Sequence, residues 1–171
     1  MKFLKFLKLN KKRKLIIVYI IATKLLFVAI QFLPVNKPKI IVPNPDGLIT
    51  DTNIPKNIAS KIKTSCYDCH SNETKLPWYS SIAPTNWFIY KHINKGREEL
   101  NFSNWNALSK EEKAEKLDDI STVLSGDEMH LKIYTVLHPK AKLSKRDKED
   151  IINWSNKLLG SLCNNTSIIK N

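Results

Sequence analysis

Three cysteines, four histidines and two methionines among 171 residues leave few side chains able to hold a metal. Cys66 and Cys69 form the only C-x-x-C pair, and Cys163 stands alone near the C-terminus. No second C-x-x-C or H-x-x-x-H pair accompanies them, because His70, His92, His130 and His138 are scattered. A structural zinc site needs four ligands and usually such a second pair, so zinc is set aside. Glycine is also rare, at four positions, and none builds a phosphate-cradling loop. There is no internal repeat and no convincing alternation of apolar and polar residues. Without strands there is no βαβ frame for a thioredoxin-like dithiol, and the domain is expected to be all-α.

Acidic residues are absent from the first 24 positions, which carry eight of the 28 Lys and Arg. The remaining 20 bases face 16 acids, so most of the net charge of +12 belongs to the N-terminus. Nothing after it forms a basic stripe with interleaved aromatics, and nucleic acid is not an expected partner.

What is present is Cys66-Tyr67-Asp68-Cys69-His70. C-x-x-C-H is the attachment sequence of c-type haem. Two thiols three positions apart can each form a thioether to one of the two vinyl groups of a porphyrin. The next residue, His70, then offers an imidazole nitrogen to the iron. Haem c, one and covalently attached, is the expected cofactor.

The N-terminus reads as a membrane address. Residues 1–14 hold seven lysines and arginines, and 15–33 is a largely apolar run. Its 19 residues would rise roughly 28 Å as a helix, close to the hydrocarbon thickness. Lys24 interrupts it, at about +3 kcal/mol on insertion scales. The expectation is one uncleaved transmembrane helix, a removed signal being the alternative, with the basic end inside. The following domain would then lie in the periplasm, on the bacterial inner membrane. Residues 34–53, with four of the eight prolines, read as a linker.

Helical spacing resumes at Ile54. A first helix runs through Ile58 and Ile62 to the haem motif, and a second is expected from Thr85 to about Leu100. A third starts at the cap Ser109, with Glu112 three residues on as a capping box, and stops near Gly126. The last runs from Ser144 to Gly160, closing the haem-binding domain at 54–160 and leaving 161–171 as a tail.

The stretch from Ile54 to about Leu159 resembles the bacterial haem-binding domain family, a c-type-cytochrome-like module. The matching residues are Ser65 to Thr74 around the motif, then Pro77-Trp78-Tyr79-Ser80 and Ile82-Ala83-Pro84 with Trp87. Further on they are Gly96-Arg97-Glu98-Glu99-Leu100-Asn101-Phe102-Ser103 with Trp105, and His138 with Ala141-Lys142-Leu143-Ser144 before Trp154. The resemblance implies haem c on a small helical domain. It also places Met129 at a methionine position of the family, with His130 where proline is usual.

The iron's other face is the open question in the sequence. Met129 is the only methionine besides the initiator, and a distant methionine thioether closes the coordination in many single-haem cytochromes. The alternatives are His130 and His138, with Met129 then filling a core gap. His92 reads as a polar helix residue. Trp78, Tyr79 and Trp87, with Tyr90 and Trp105, are candidates for the haem pocket wall or a small core. Arg97 suits a haem propionate or a solvated helix face. Asn72, Asn101 and Asn165 match glycosylation sequons, which carry no weight in a chain of bacterial character.

Three functions fit these residues. The first is single-electron transfer through a His/Met-ligated haem, with a redox protein or a membrane respiratory complex as partner. No catalytic residues stand out, as an electron carrier needs none. The second is a non-catalytic haem-binding accessory subunit. The third is a haem-based sensor or peroxidase, which needs an open iron site.

Overall fold

The computed structural model describes residues 10–51 and 54–167, with side chains to Asn164. Lys2, Lys5, Lys8 and the end of the tail lie outside the described residues. Among the described residues, seven α-helices and four 3-10 turns make up the regular structure and no strand is present. The helices are α1 (Lys11–Ile30), α2 (Lys56–Ser65), α3 (Tyr67–His70), α4 (Thr85–Glu99), α5 (Lys110–Ser125), α6 (Lys132–Leu137) and α7 (Lys145–Ser167). The chain divides into two compact units, one of residues 1–37 and 77–91, the other of 38–76 and 92–171.

In the first unit, Asn10 caps α1 by accepting a hydrogen bond from the Arg13 amide at 3.0 Å. α1 buries no residue, and large apolar side chains such as Leu15, Tyr19, Leu25 and Leu26 are more than 60 % exposed. The helix stops at Ile30, where the Gln31 amide bonds back to the last carbonyls and Pro34 prevents continuation. Its apolar part, Leu15 to Ile30, therefore rises only about 24 Å and still contains Lys24. The expected span over 15–33 is corrected on this point: no described helix is long and apolar enough to cross a membrane. Gln31 also pairs with Ala83, donating from Nε2 to the carbonyl at 3.2 Å and accepting from the amide at 2.9 Å.

The second unit holds the core. Ile58 and Ile62, one helical turn apart on α2, pack with Tyr67, Phe102, Trp105, Leu117, Leu124, Leu143 and Ile151. The proline-rich segment joins this core rather than running free of it. Leu48 is 1 % exposed, the Ile41 amide bonds to Asn72 O at 2.9 Å, and Asn44 donates to the Ser103 hydroxyl. Apolar residues between the prolines supply the reason, since Leu48 has more to gain from burial than from solvent.

Ser109 and Glu112 form the expected capping box of α5, and Gly126 closes that helix. α5 and α7 pack side by side, joined where Ser155 donates to the Leu117 carbonyl at 2.8 Å. Ser144 caps α7, but Gly160 does not end it, and the helix runs on to Ser167. Polar residues beyond Gly160 permit helix as readily as coil, so the spacing carried no stop. The short helix α6 has no counterpart in the sequence reading.

Candidate functional site

The motif lies in the second unit, where α2 passes into α3 at Cys66. Amides of Cys69 and His70 both bond to the Cys66 carbonyl, at 3.2 and 2.9 Å, so 66–70 is one helical turn. At about 100° per residue, Cys66, Cys69 and His70 share one side of that turn and Asp68 faces the other.

Burial pushes the Cys66 thiol up to about 12, with Cys69 adding to it, and burial with Asp68 pushes Cys69 up to about 11. Both are free thiols, protonated near neutrality, which is unlike a reactive dithiol or a thiolate metal site. Among the described residues no cluster of three or more His, Cys, Asp or Glu could hold a metal ion.

His70 is held for ligation. Its Nδ1 lies 3.1 Å from the Leu100 carbonyl, which can only accept, so Nδ1 carries the proton and Nε2 keeps its lone pair. Burial lowers its pKa, outweighing the Leu100 and Gly96 carbonyls and the Glu99 charge that raise it, and keeps the imidazole neutral. The Phe102 ring meets His70 edge-on at 6.4 Å and stacks on Tyr67 at 5.7 Å. Tyr67 in turn accepts a hydrogen bond from the Ile49 amide at 3.3 Å. A ligand imidazole whose other nitrogen is fixed by a carbonyl is the usual way a protein sets tautomer and ring orientation.

α4 presses on the motif through Gly96. A Cβ there would stand 2.9 Å from Cys69 O and 3.4 Å from His70 Cε1, so only glycine fits. Next to it, Arg97 bonds through Nε to Ser71 O at 2.7 Å, Nη1 to Lys39 O at 2.6 Å and Nη2 to Thr74 Oγ1 at 2.8 Å. It clamps the loop after His70 and is not a solvated helix residue. Asn101 caps the following 3-10 turn and donates to Asn72 Oδ1 at 3.0 Å, so two of the sequon asparagines hold the loop together.

The segment carrying Met129 lies in the same unit. Tyr134 donates to Asp68 at 2.8 Å, and His130 Nε2 donates to the Ser65 carbonyl at 2.8 Å. Both bonds tie the 130–134 stretch to the motif turn. Met129 itself is 37 % exposed. His138 stacks on Tyr134 at 4.4 Å, with Nδ1 3.1 Å from the Tyr134 carbonyl, a helix-end contact. His92 sits half-buried on α4 and Cys163 is exposed on α7.

Trp78, Tyr79 and Trp87 belong to the first unit, where Trp78 is 80 % exposed and meets Tyr79 edge-on at 5.8 Å. Tyr90 is buried in that unit, and Trp105 is buried in the core of the second. Sequence reasoning missed the Leu100 carbonyl, Gly96 as a packing requirement and the Asp68–Tyr134 pair. Only Gly96 left a signal, as a glycine inside a helical pattern.

These residues fit a haem: two thiols and a neutral imidazole on one side of a single turn, with the imidazole's other nitrogen tied back. The chain matches the haem-binding domain family over residues 25–157. No curated protein and no solved structure matches it. The family match spans about three quarters of the 171 residues, and the chain belongs to the haem-binding domain family.

Proposed function

We propose that this member of the haem-binding domain family is an electron carrier with one haem c joined through Cys66 and Cys69. His70 is its first iron ligand and Met129 the second. The observation that carries the reading is the His70 geometry, an imidazole with Nδ1 on the Leu100 carbonyl beside two protonated thiols. When bound, the haem supplies a one-electron iron centre. The chain's own residues then orient the imidazole through Leu100 and Phe102 and hold the motif loop through Arg97.

Met129 is favoured because a thioether opposite a histidine is a standard haem ligand pair and the family places a methionine at this position. His130, with Nε2 on the Ser65 carbonyl, could ligate only through Nδ1. His138, with Nδ1 on the Tyr134 carbonyl and its ring stacked on Tyr134, could ligate only through Nε2. We place the domain outside the cytoplasm, where bacterial haem c is attached, on the periplasmic face of the inner membrane. Membrane attachment through α1 is supported by its exposed apolar surface and basic start. The partner is a redox protein or a respiratory complex in that membrane.

Optical spectra test the reading. The ferrous protein is expected to be low-spin, and the ferric form to show the near-infrared charge-transfer band of methionine ligation. Met129→Ala should abolish that band and lower the potential. A high-spin wild type that binds CO rapidly would contradict electron transfer and favour a sensor or peroxidase. Loss of the band in His130→Ala instead would move the second ligand to His130.

A further inference from the structure

Arg97 is a half-buried cation without a counter-ion. Its three bonded nitrogens meet two carbonyls and a hydroxyl, all neutral, and no carboxylate lies within 4.0 Å among the described residues. Guanidinium keeps its charge at any physiological pH, and three fixed bonds prevent it from swinging into solvent. A Cβ on its neighbour Gly96 would stand 2.9 Å from the Cys69 carbonyl oxygen and 3.4 Å from His70 Cε1, and Arg97 itself is bonded through Nε to the carbonyl of Ser71, the residue after His70. A structural clamp alone could be built from neutral donors. A charge fixed there acts on whatever Cys69 and His70 carry.

We infer that Arg97 is a fixed cation that raises the reduction potential of the haem held by Cys66, Cys69 and His70. The inference rests on the haem c reading. One electron from a donor such as dithionite turns ferric into ferrous iron and lowers the positive charge of the site by one. A cation held nearby in a medium of reduced dielectric therefore favours the reduced form. Arg97 is a positioning residue as well, and the two roles separate by substitution. Arg97→Gln removes the charge, whereas Arg97→Lys keeps it and loses the planar fork.

The test is a potentiometric titration of the full-length holoprotein in detergent, with haem staining of each sample after denaturation. Arg97→Gln is expected to shift the reduced-to-oxidised ratio at fixed potential roughly tenfold toward oxidised, ~59 mV for one electron. Arg97→Lys should stay near the wild-type midpoint while unfolding at lower temperature. Thr74→Asp sets a carboxylate against Nη2 with Arg97 in place. It should lower the midpoint too, and it decides the matter where Arg97→Gln fails to load. A wild-type midpoint in Arg97→Gln, or a fall in Arg97→Lys as large as in Arg97→Gln, overturns the inference alone. An unstained wild type overturns the haem c reading beneath it, and the inference with it.

Discussion

Replacing His70 with alanine is expected to leave haem attached through both cysteines while converting the iron from low-spin to high-spin. The thiols and the imidazole sit on one helical turn but have separate roles in the proposed site, so one can be lost without the other. The imidazole keeps its proton on Nδ1 because that nitrogen donates to the Leu100 carbonyl at 3.1 Å, which leaves Nε2 for the proposed iron. His130, whose Nε2 is bonded to the Ser65 carbonyl, could take its place only through Nδ1. The low-spin fraction should drop from nearly complete to undetectable, and the ferrous variant should take up CO in the mixing time. Haem stain after denaturation should match the wild type. An unchanged low-spin spectrum in His70→Ala would remove His70 from the iron.

Two glycine-to-alanine substitutions, both inside helices, are expected to act with opposite sign. Alanine gains about 1 kcal/mol over glycine in a helix interior. At Gly160 nothing lies within 4 Å of an added Cβ, so Gly160→Ala should stabilise the protein by up to about 1 kcal/mol. At Gly96 the Cβ would meet Cys69 O at 2.9 Å, and that atom is backbone, unable to rotate away. Either α4 or the motif turn must move. Overpacking of this kind costs about 1–3 kcal/mol, enough to outweigh the propensity gain. Gly96→Ala should therefore be destabilising in urea, and Gly96→Val more so, with reduced haem loading in both. Equal midpoints for Gly96→Ala and Gly160→Ala would mean that α4 does not press on the motif as described.

Local signals were the most legible part of this chain. The Ser109–Glu112 box and the apolar spacing of Ile58 and Ile62 depend only on near neighbours, and the helices form where they point. The motif pointed to haem, which the family match supports, because the attachment chemistry takes five residues in a row. What could not be read is long-range. Leu100 enters the site through its carbonyl, which every residue has, so no side chain marked it. Asp68 and Tyr134 are 66 positions apart, and nothing in either neighbourhood predicts their bond. The prolines at 34–53 suggested a free linker, yet Leu48 lies in the core and Lys39 holds Arg97. Composition described the segment, and its single large buried residue decided it. For α1 the apolar run was visible, but its length as a helix depends on where Gln31 and Pro34 end it.

The central claim is that Cys66 and Cys69 carry haem covalently. Haem staining of the full-length chain on a denaturing gel, matured beside Cys66→Ala with Cys69→Ala, tests it most directly. The account predicts a stained band for the wild type, with an intact mass greater by one haem, and no stain for the double variant. An unmodified wild-type mass, or equal stain in the double variant, would contradict it.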